Sequence, residues 1–279
     1  MTQTRTRNRL TLEDFRRMKC AREKFSMLTA YDFPTAAAAE RAGVHSLLVG
    51  DSAANVVLGL ATTREIRLDY LITLAAAVRR GAPRTYLIGD VPFESMQAGP
   101  DGLLRAAERF CGEAACDAVK FEAETRDDRL VAALAGADYA VIAHLGLRPQ
   151  TVLTPDGYRA QARDAASIAQ LVDDCRRMVD AGASMLLLEA VPNEASQAVI
   201  DATDVPVIGC GAGPACDGHV VVTHDLLGFS AVRPPKFVPV LADMNTYVEE
   251  ALRRYVESID SGAYPAPQHV YPLRTKAGD

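Results

Sequence analysis

Positive charge is scarce in this chain of 279 residues: 30 Lys and Arg stand against 36 Asp and Glu, a formal net charge of -6. A phosphate backbone needs a basic face to neutralise it, so a nucleic-acid partner is excluded. The one basic cluster, TRTRNR at residues 4–9, reads as a solvated terminus. Long apolar runs are missing too. No run approaches the length of a membrane span, and the first thirty residues lack the apolar centre of a secretory signal, so the expectation is a cytosolic protein with no membrane partner. Zinc-ribbon spacing is also absent: Cys20, Cys111, Cys116, Cys175, Cys210 and Cys216 are scattered, mostly among apolar or Ala-rich residues. They are expected to be buried reduced thiols. Nothing beside CGAGPAC, the one close pair, supplies the further ligands zinc would want.

What is present is enough apolar residue, 49%, to bury a full core. After a helix signal, TLEDFRRMKCAREK, with Thr11 as its cap, eight strand-like runs recur. They are SMLTAYD (26–32), SLLVGDS (46–52), TYLIGDV (85–91), DAVKFEA (117–123), YAVIAHL (139–145), SMLLLEA (184–190), VPVIGCG (205–211) and HVVVTHD (219–225). Between them lie Ala/Leu-rich segments with charges at helical spacing, closed by Gly or Pro. Strands alternating with helices imply a parallel sheet, and eight units predict an α/β fold, a (β/α)₈ TIM barrel. From Gly211 to His219 there is no room for a helix, so the last crossover must be a loop. An open doubly wound sheet is the alternative. The expected organisation is one domain, 1–279, with a barrel core over about 25–228 and a C-terminal extension over about 229–279 that includes the helix MNTYVEEALRRYVESI.

Polar residues collect where these runs end: Asp32, Asp51, Asp90, Lys120, Glu122, His144, Glu189 and His224. In a barrel every strand delivers its last residues to one face, so these groups would share a rim. Asp51 and Asp90 each follow a glycine at the end of consecutive strands. Two carboxylates brought close repel, and the repulsion is relieved by a shared proton or a cation; oxygen-only ligands favour Mg²⁺ first and Mn²⁺ second over zinc. Capping of the following helices is the competing role for such aspartates. Lys120 is one of only five lysines, against 25 arginines, and it lies in an apolar strand as Val-Lys-Phe-Glu. Alternation puts Lys120 and Glu122 on one side, toward the barrel interior if Val119 and Phe121 face outward. There Lys120 could hold a substrate carboxylate and Glu122 a metal-bound water, or the two could form a structural pair. Glu189 follows four apolar residues; desolvation would raise its pKa and suit it to removing a C–H proton beside a carbonyl. His144 is a further candidate acid or base, or a core histidine. GCGAG at 209–213 comes too late for a dinucleotide fingerprint and reads as a tight turn.

LTAYDFPTA, LLVGDS, VVLGLATT, GDVPFES, AVKFE, HLGLRPQ, LLLEAVP, IGCGAGPACDGHVVVTHDLLG and PKFV resemble, in order, the signature segments of the ketopantoate hydroxymethyltransferase family, over roughly residues 25–240. The resemblance implies a barrel of the phosphoenolpyruvate/pyruvate type. It also implies transfer of a hydroxymethyl group from 5,10-methylenetetrahydrofolate to a branched 2-oxo acid, through a metal-stabilised enolate, in pantothenate biosynthesis. By the same resemblance Asp51 and Asp90 match the Mg²⁺-linked aspartates and contact substrate, Ser52 and Lys120 match groups that hold the oxo acid, Glu122 matches an acid near the metal, and Glu189 matches the catalytic base. Family members are commonly decamers, which implies a homo-oligomer.

Several positions depart from the family pattern. Ala123 and Glu124 replace Gly-Gly after Lys-x-Glu, adding bulk and charge beside the site; Leu74 stands where a histidine is usual; Arg148 replaces a small hydroxyl residue; and TVLTPDGYRAQAR lacks the usual Gly-Gly-Tyr and Gln-Gly. The expectation is a retained enolate mechanism with an altered substrate or carrier pocket. Two other readings keep the barrel: a C–C or P–C lyase or mutase of the same superfamily, against which the missing KxCGH segment counts, and a catalytically silent scaffold.

Overall fold

A strand forms at each of the eight predicted apolar runs. In the computed structural model, which describes residues 9–152 and 158–273, they are β1 (Phe25–Thr29), β2 (Ser46–Val49), β3 (Tyr86–Asp90), β4 (Ala118–Glu122), β5 (Val141–Gly146), β6 (Met185–Glu189), β7 (Val207–Cys210) and β8 (Gly218–Val221). All pair in parallel with their sequence neighbours, and β8 returns to β1 through Phe25↔Gly218, which closes an eight-stranded barrel. The open-sheet alternative is thereby excluded. Residues 1–8, most of the basic N-terminal cluster, lie outside the described residues, as do residues 153–157 of TVLTPDGYRAQAR.

Strand alternation separates two cores. Phe25, Met27, Leu48, Tyr86, Ile88, Ala118, Ile142, Met185, Leu187, Ile208 and Val220 point inward and fill the barrel. Leu47, Val49, Leu87, Val119, Phe121, Ala143, Leu186 and Val207 point outward, under the helices. Helix α1 (Leu12–Ala21) precedes β1, and the helices that follow are α2 (Phe33–Ala42), α3 (Ala53–Val56), α4 (Leu68–Gly81), α5 (Phe93–Gln97), α6 (Gly99–Glu113), α7 (Asp128–Gly136), α8 (Ala165–Asp180) and α9 (Asn193–Ala202). As expected, Gly211 to Asp217 crosses from β7 to β8 without a helix.

The N-terminal end of the barrel is plugged by α1. Its Phe15 packs edge-on against Phe25, centroids 4.9 Å apart, and against Tyr86 at 5.1 Å. The expected cap works through a reciprocal contact, with the Thr11 backbone N–H donating to Asp14 Oδ2 at 2.9 Å. Around this closed end two aspartates tie strand starts together. Asp117 accepts from Arg79 at 2.6 Å and from the Leu87 N–H at 2.8 Å. Asp217 accepts from Lys19 at 3.0 Å and from the Val207 N–H at 2.9 Å. Charge at this end is therefore spent on the frame.

The residues form two compact units, one ending at Thr223 and one beginning at His224. In the second, the expected helix runs Met244–Asp260, with Asp243 capping the Thr246 N–H at 3.2 Å; it buries none of its residues. No described helix is long and apolar enough to cross a membrane.

Phe15→Ala should cost about 3–5 kcal/mol, as large-to-small changes at fully buried aromatics do. Urea unfolding followed by circular dichroism checks this; a loss below about 1 kcal/mol would show that α1 is not an essential plug.

Candidate active site

Both Gly-Asp pairs solve a packing problem at a strand end. Gly89 has no side chain because Phe110 of α6 occupies that space, so β3 sits against its covering helix. At Gly50 a Cβ would come within 3.1 Å of Ser52 Oγ and 3.6 Å of Asp90 Oδ2. Its absence lets the chain after β2 fold over the Asp90 carboxylate. The Asp51 N–H then donates to Asp90 Oδ2 at 3.0 Å, so two acids from adjacent strands share one corner of the barrel mouth.

A line of charge continues around the rim from that corner. Lys120 Nζ lies 2.7 Å from Asp90 Oδ1 and 3.4 Å from His144 Nδ1. His144 Nε2 is 3.4 Å from Glu189 Oε2. An ammonium only donates, so Nδ1 is the accepting nitrogen of His144 and the proton sits on Nε2, facing Glu189. Ser52 Oγ is 2.7 Å from the buried Tyr31 hydroxyl. Asp51, Ser52, Asp90, Lys120, Glu122, His144 and Glu189 are thus all brought to one mouth, and Val119 and Phe121 face outward as alternation required.

Two strand-end residues do other work. Asp32 caps α2, accepting from the Thr35 N–H at 2.7 Å and its hydroxyl at 3.1 Å. His224 belongs to the second unit, where its ring stacks on Phe229, centroids 6.0 Å apart. The cysteines divide as well: Cys116, Cys175 and Cys216 are buried, Cys111 and Cys210 partly so, and Cys20 is exposed, which corrects the expectation of uniform burial.

Burial and neighbouring charge set the ionisation of the rim. Burial pushes the Asp90 carboxyl up, Lys120 opposes it and the Asp51 charge adds to it. Burial lowers Lys120, but Asp90, Asp51 and Glu122 outweigh it and hold the ammonium charged. Glu122 is raised well above the usual carboxyl range by burial and then by Asp51. Burial, followed by the Lys120 charge, drives His144 well below the ordinary imidazole value, so its ring is neutral. Glu189 keeps 17% of its side chain exposed, yet the surrounding protein pushes its carboxyl up to about 8.

Asp51 and Asp90 offer only oxygens, the donor set of a hard cation. The Asp51 carboxylate meets Gln150 through Oδ2, and the buried Asp90 Oδ1 has Lys120 beside it without a well-aligned hydrogen bond. No three His, Cys, Asp or Glu side chains among the described residues form a ready-made metal cage. The residues therefore fit an ion such as Mg²⁺ that takes a few protein oxygens and completes its shell with substrate and water.

A family model described as ketopantoate hydroxymethyltransferase matches residues 9–267. The chain belongs to that family. It is 43% identical over 261 residues to the 3-methyl-2-oxobutanoate hydroxymethyltransferase of Geobacillus kaustophilus, covering 94% of each chain. It is 43% identical over 270 residues to that of Frankia alni, covering 97% of this chain and 89% of the relative. The protein is accordingly a hydroxymethyltransferase of the (β/α)₈ class. Among solved structures it resembles a phosphoenolpyruvate phosphomutase from Streptomyces platensis subsp. rosaceus, with TM-score 0.62, 14% identity and coverage of 95% and 93%. It also resembles a 2,3-dimethylmalate lyase, with TM-score 0.59, 20% identity and coverage of 94% and 93%. These two likenesses concern the fold alone.

The departures from the family pattern take a definite form. Ala123 does not crowd the mouth as expected: it is buried in the outer core, its N–H bonded to His144 O at 2.8 Å. Glu124 and Arg148 pair with each other at 2.5 Å, so the added acid and the added base neutralise one another at the rim. Leu74 packs against the outer core. One site residue was not singled out from sequence: Gln150, buried among Asp51, Val91 and Glu122. Tyr158 is half exposed, and its phenol is raised by burial and then by the charges of Asp51, Glu189 and Glu122.

Glu189 also makes stability depend on pH. Its folded value, about 8, lies above the ordinary 4.5, so the folded chain keeps a proton that the unfolded chain releases between those values. That contribution is complete below pH 4.5 and is lost as pH rises through about 8. Relative to Glu189→Gln, the wild type should lose roughly 2–4 kcal/mol between pH 5 and 8.5. Parallel denaturation curves at the two pH values would contradict a raised Glu189.

Proposed function

We propose that the chain transfers a hydroxymethyl group from 5,10-methylenetetrahydrofolate to 3-methyl-2-oxobutanoate or a close analogue, in the cytoplasm, with Mg²⁺ or Mn²⁺ as the metal. The carrying observation is the arrangement of the rim: a carboxyl raised to about 8, Glu189, shares the barrel mouth with a corner where the Lys120 ammonium and the Asp51 backbone N–H both reach the Asp90 carboxylate. Such a rim suits removal of a proton next to a carbonyl, because base and charge-stabilising groups approach the substrate from different sides.

In this reading Asp51 and Asp90 hold the metal and Lys120 with Ser52 holds the oxo-acid carboxylate. When bound, the metal supplies Lewis-acid stabilisation of negative charge at the keto oxygen. Glu189 takes the proton from C3, and the electron pair left on C3 forms the new C–C bond to the formaldehyde-level carbon of the folate. That carbon is first released by water, whose oxygen stays on it as formaldehyde while its two protons go to the two carrier nitrogens as the C–N bonds break; C–C bond formation then turns its C=O into an alkoxide, which takes the proton held by Glu189. Neutral His144, with its Nε2 proton toward Glu189, steadies the carboxylate without competing for the substrate proton. Glu122, held by the Gln150 N–H, faces the metal side and orders water there.

Assembly as a homo-oligomer, a decamer by family resemblance, is part of the same reading. The helix Met244–Asp260 exposes Tyr247, Leu252, Tyr255, Val256 and Ile259, an apolar stripe that a second copy would cover.

In D₂O with Mg²⁺ and 3-methyl-2-oxobutanoate, the enzyme should exchange the C3 proton without any folate, as followed by NMR. Only ionised Glu189 accepts a proton, so kcat/KM for exchange should rise with pH and level off above about 8. Glu189→Gln should lower exchange by about 10²–10⁴-fold and abolish that pH limb. Exchange at wild-type rate in the variant would remove Glu189 from the role of base.

A further inference from the structure

We propose that Gln150 is a positioning residue that sets which divalent ion the site accepts, favouring small ions over large ones. This rests on the metal reading above. Gln150 sits in the short turn Pro149–Thr151 after β5 and is 3% exposed. Its side-chain nitrogen is 2.9 Å from Asp51 Oδ2 and 3.1 Å from the Val91 carbonyl. Both partners are pure acceptors, so the amide orientation is dictated by chemistry and both of its protons are spent. The backbone N–H of the same residue lies 3.1 Å from each oxygen of Glu122. One residue therefore braces two acids whose charges oppose each other.

The consequence lies in the oxygens left over. With Oδ2 accepting from Gln150, Oδ1 is the Asp51 oxygen with no hydrogen bond to a described residue. Asp90 is constrained in parallel, its Oδ2 accepting the Asp51 N–H and its Oδ1 lying beside Lys120. Chelation through both oxygens of either carboxylate would have to share an oxygen already held by a protein donor, which disfavours it. Ca²⁺ draws on six to eight oxygens and commonly on bidentate carboxylates, whereas Mg²⁺ and Mn²⁺ accept single oxygens in an octahedron completed by water and substrate. A brace that favours one oxygen per carboxylate tips the site toward the smaller ions. A glutamine that only tied the turn to the barrel would weaken both kinds of ion together when removed.

The test is Mn²⁺ binding by electron paramagnetic resonance, with Ca²⁺ as competitor and 3-methyl-2-oxobutanoate present, on the full chain and on Gln150→Met, which keeps the length and the backbone N–H but has no side-chain donor. The ratio of Mn²⁺ to Ca²⁺ affinity should fall by about tenfold or more, the scale on which outer partners of metal ligands act. An unchanged ratio, including equal weakening of both ions, overturns the proposal. Should Gln150→Met fail to fold, Gln150→Asn, one methylene too short to reach both acceptors, is read by the same ratio. Absence of Mn²⁺ binding to the wild type would instead overturn the metal reading and this inference with it.

Discussion

The buried ion pair between Lys120 and Asp90 is the constraint on which the site depends. A lysine inside a barrel is tolerated only with a partner, because stripping water from an ammonium costs several kcal/mol that a nearby carboxylate must offset. Here Asp90 lies 2.7 Å away on the neighbouring strand, and the register Asp90↔Lys120 makes the contact a property of the sheet itself. Placing that charge inside also determines the states around it. It helps keep His144 neutral and opposes the rise of Glu122 and Glu189. In the proposed site the same pair would limit how Asp90 serves a metal and would tie substrate and ion binding to one pair of side chains.

The frame was legible in the sequence because it follows period and composition. Eight apolar runs separated by helical segments admit few closed arrangements, and the short span from Gly211 to His219 correctly required a crossover without a helix. Lys120 was legible in part: alternation puts it on one side of β4 with Glu122, and Val119 and Phe121 in the outer core make that side the interior. What distinguishes Asp51 from Asp32 was harder to read. Both follow a strand, but Asp32 is followed at once by a helix whose free N–H groups it satisfies, whereas Gly50 turns Asp51 toward Asp90. Gln150 lies in a short turn without period, and nothing in a glutamine marks it as aimed at carboxylates distant in the chain.

The departures from the family pattern also change meaning once placed. Read along the chain, Glu124 and Arg148 are two separate intrusions of charge. In space they are one ion pair joining the ends of β4 and β5, on the side of the mouth where Gln150 and Glu122 stand. Arg148 keeps about a quarter of its side chain exposed and Glu124 well over half, so the pair contributes little stability. The pair stands apart from the Asp51, Asp90, Lys120, His144 and Glu189 arrangement, none of which it contacts through a hydrogen bond or ion pair among the described residues.

In the proposed function one corner, made by Asp51, Asp90 and Lys120, holds both the ion and the oxo acid with C3 presented to Glu189. A crystal structure of the enzyme soaked with Mg²⁺ and 3-methyl-2-oxobutanoate is the decisive measurement. The ion should appear between the two aspartates, with C3 facing the Glu189 carboxylate. An ion bound away from Asp51 and Asp90, or an oxo acid with C3 turned from Glu189, would contradict the proposed function.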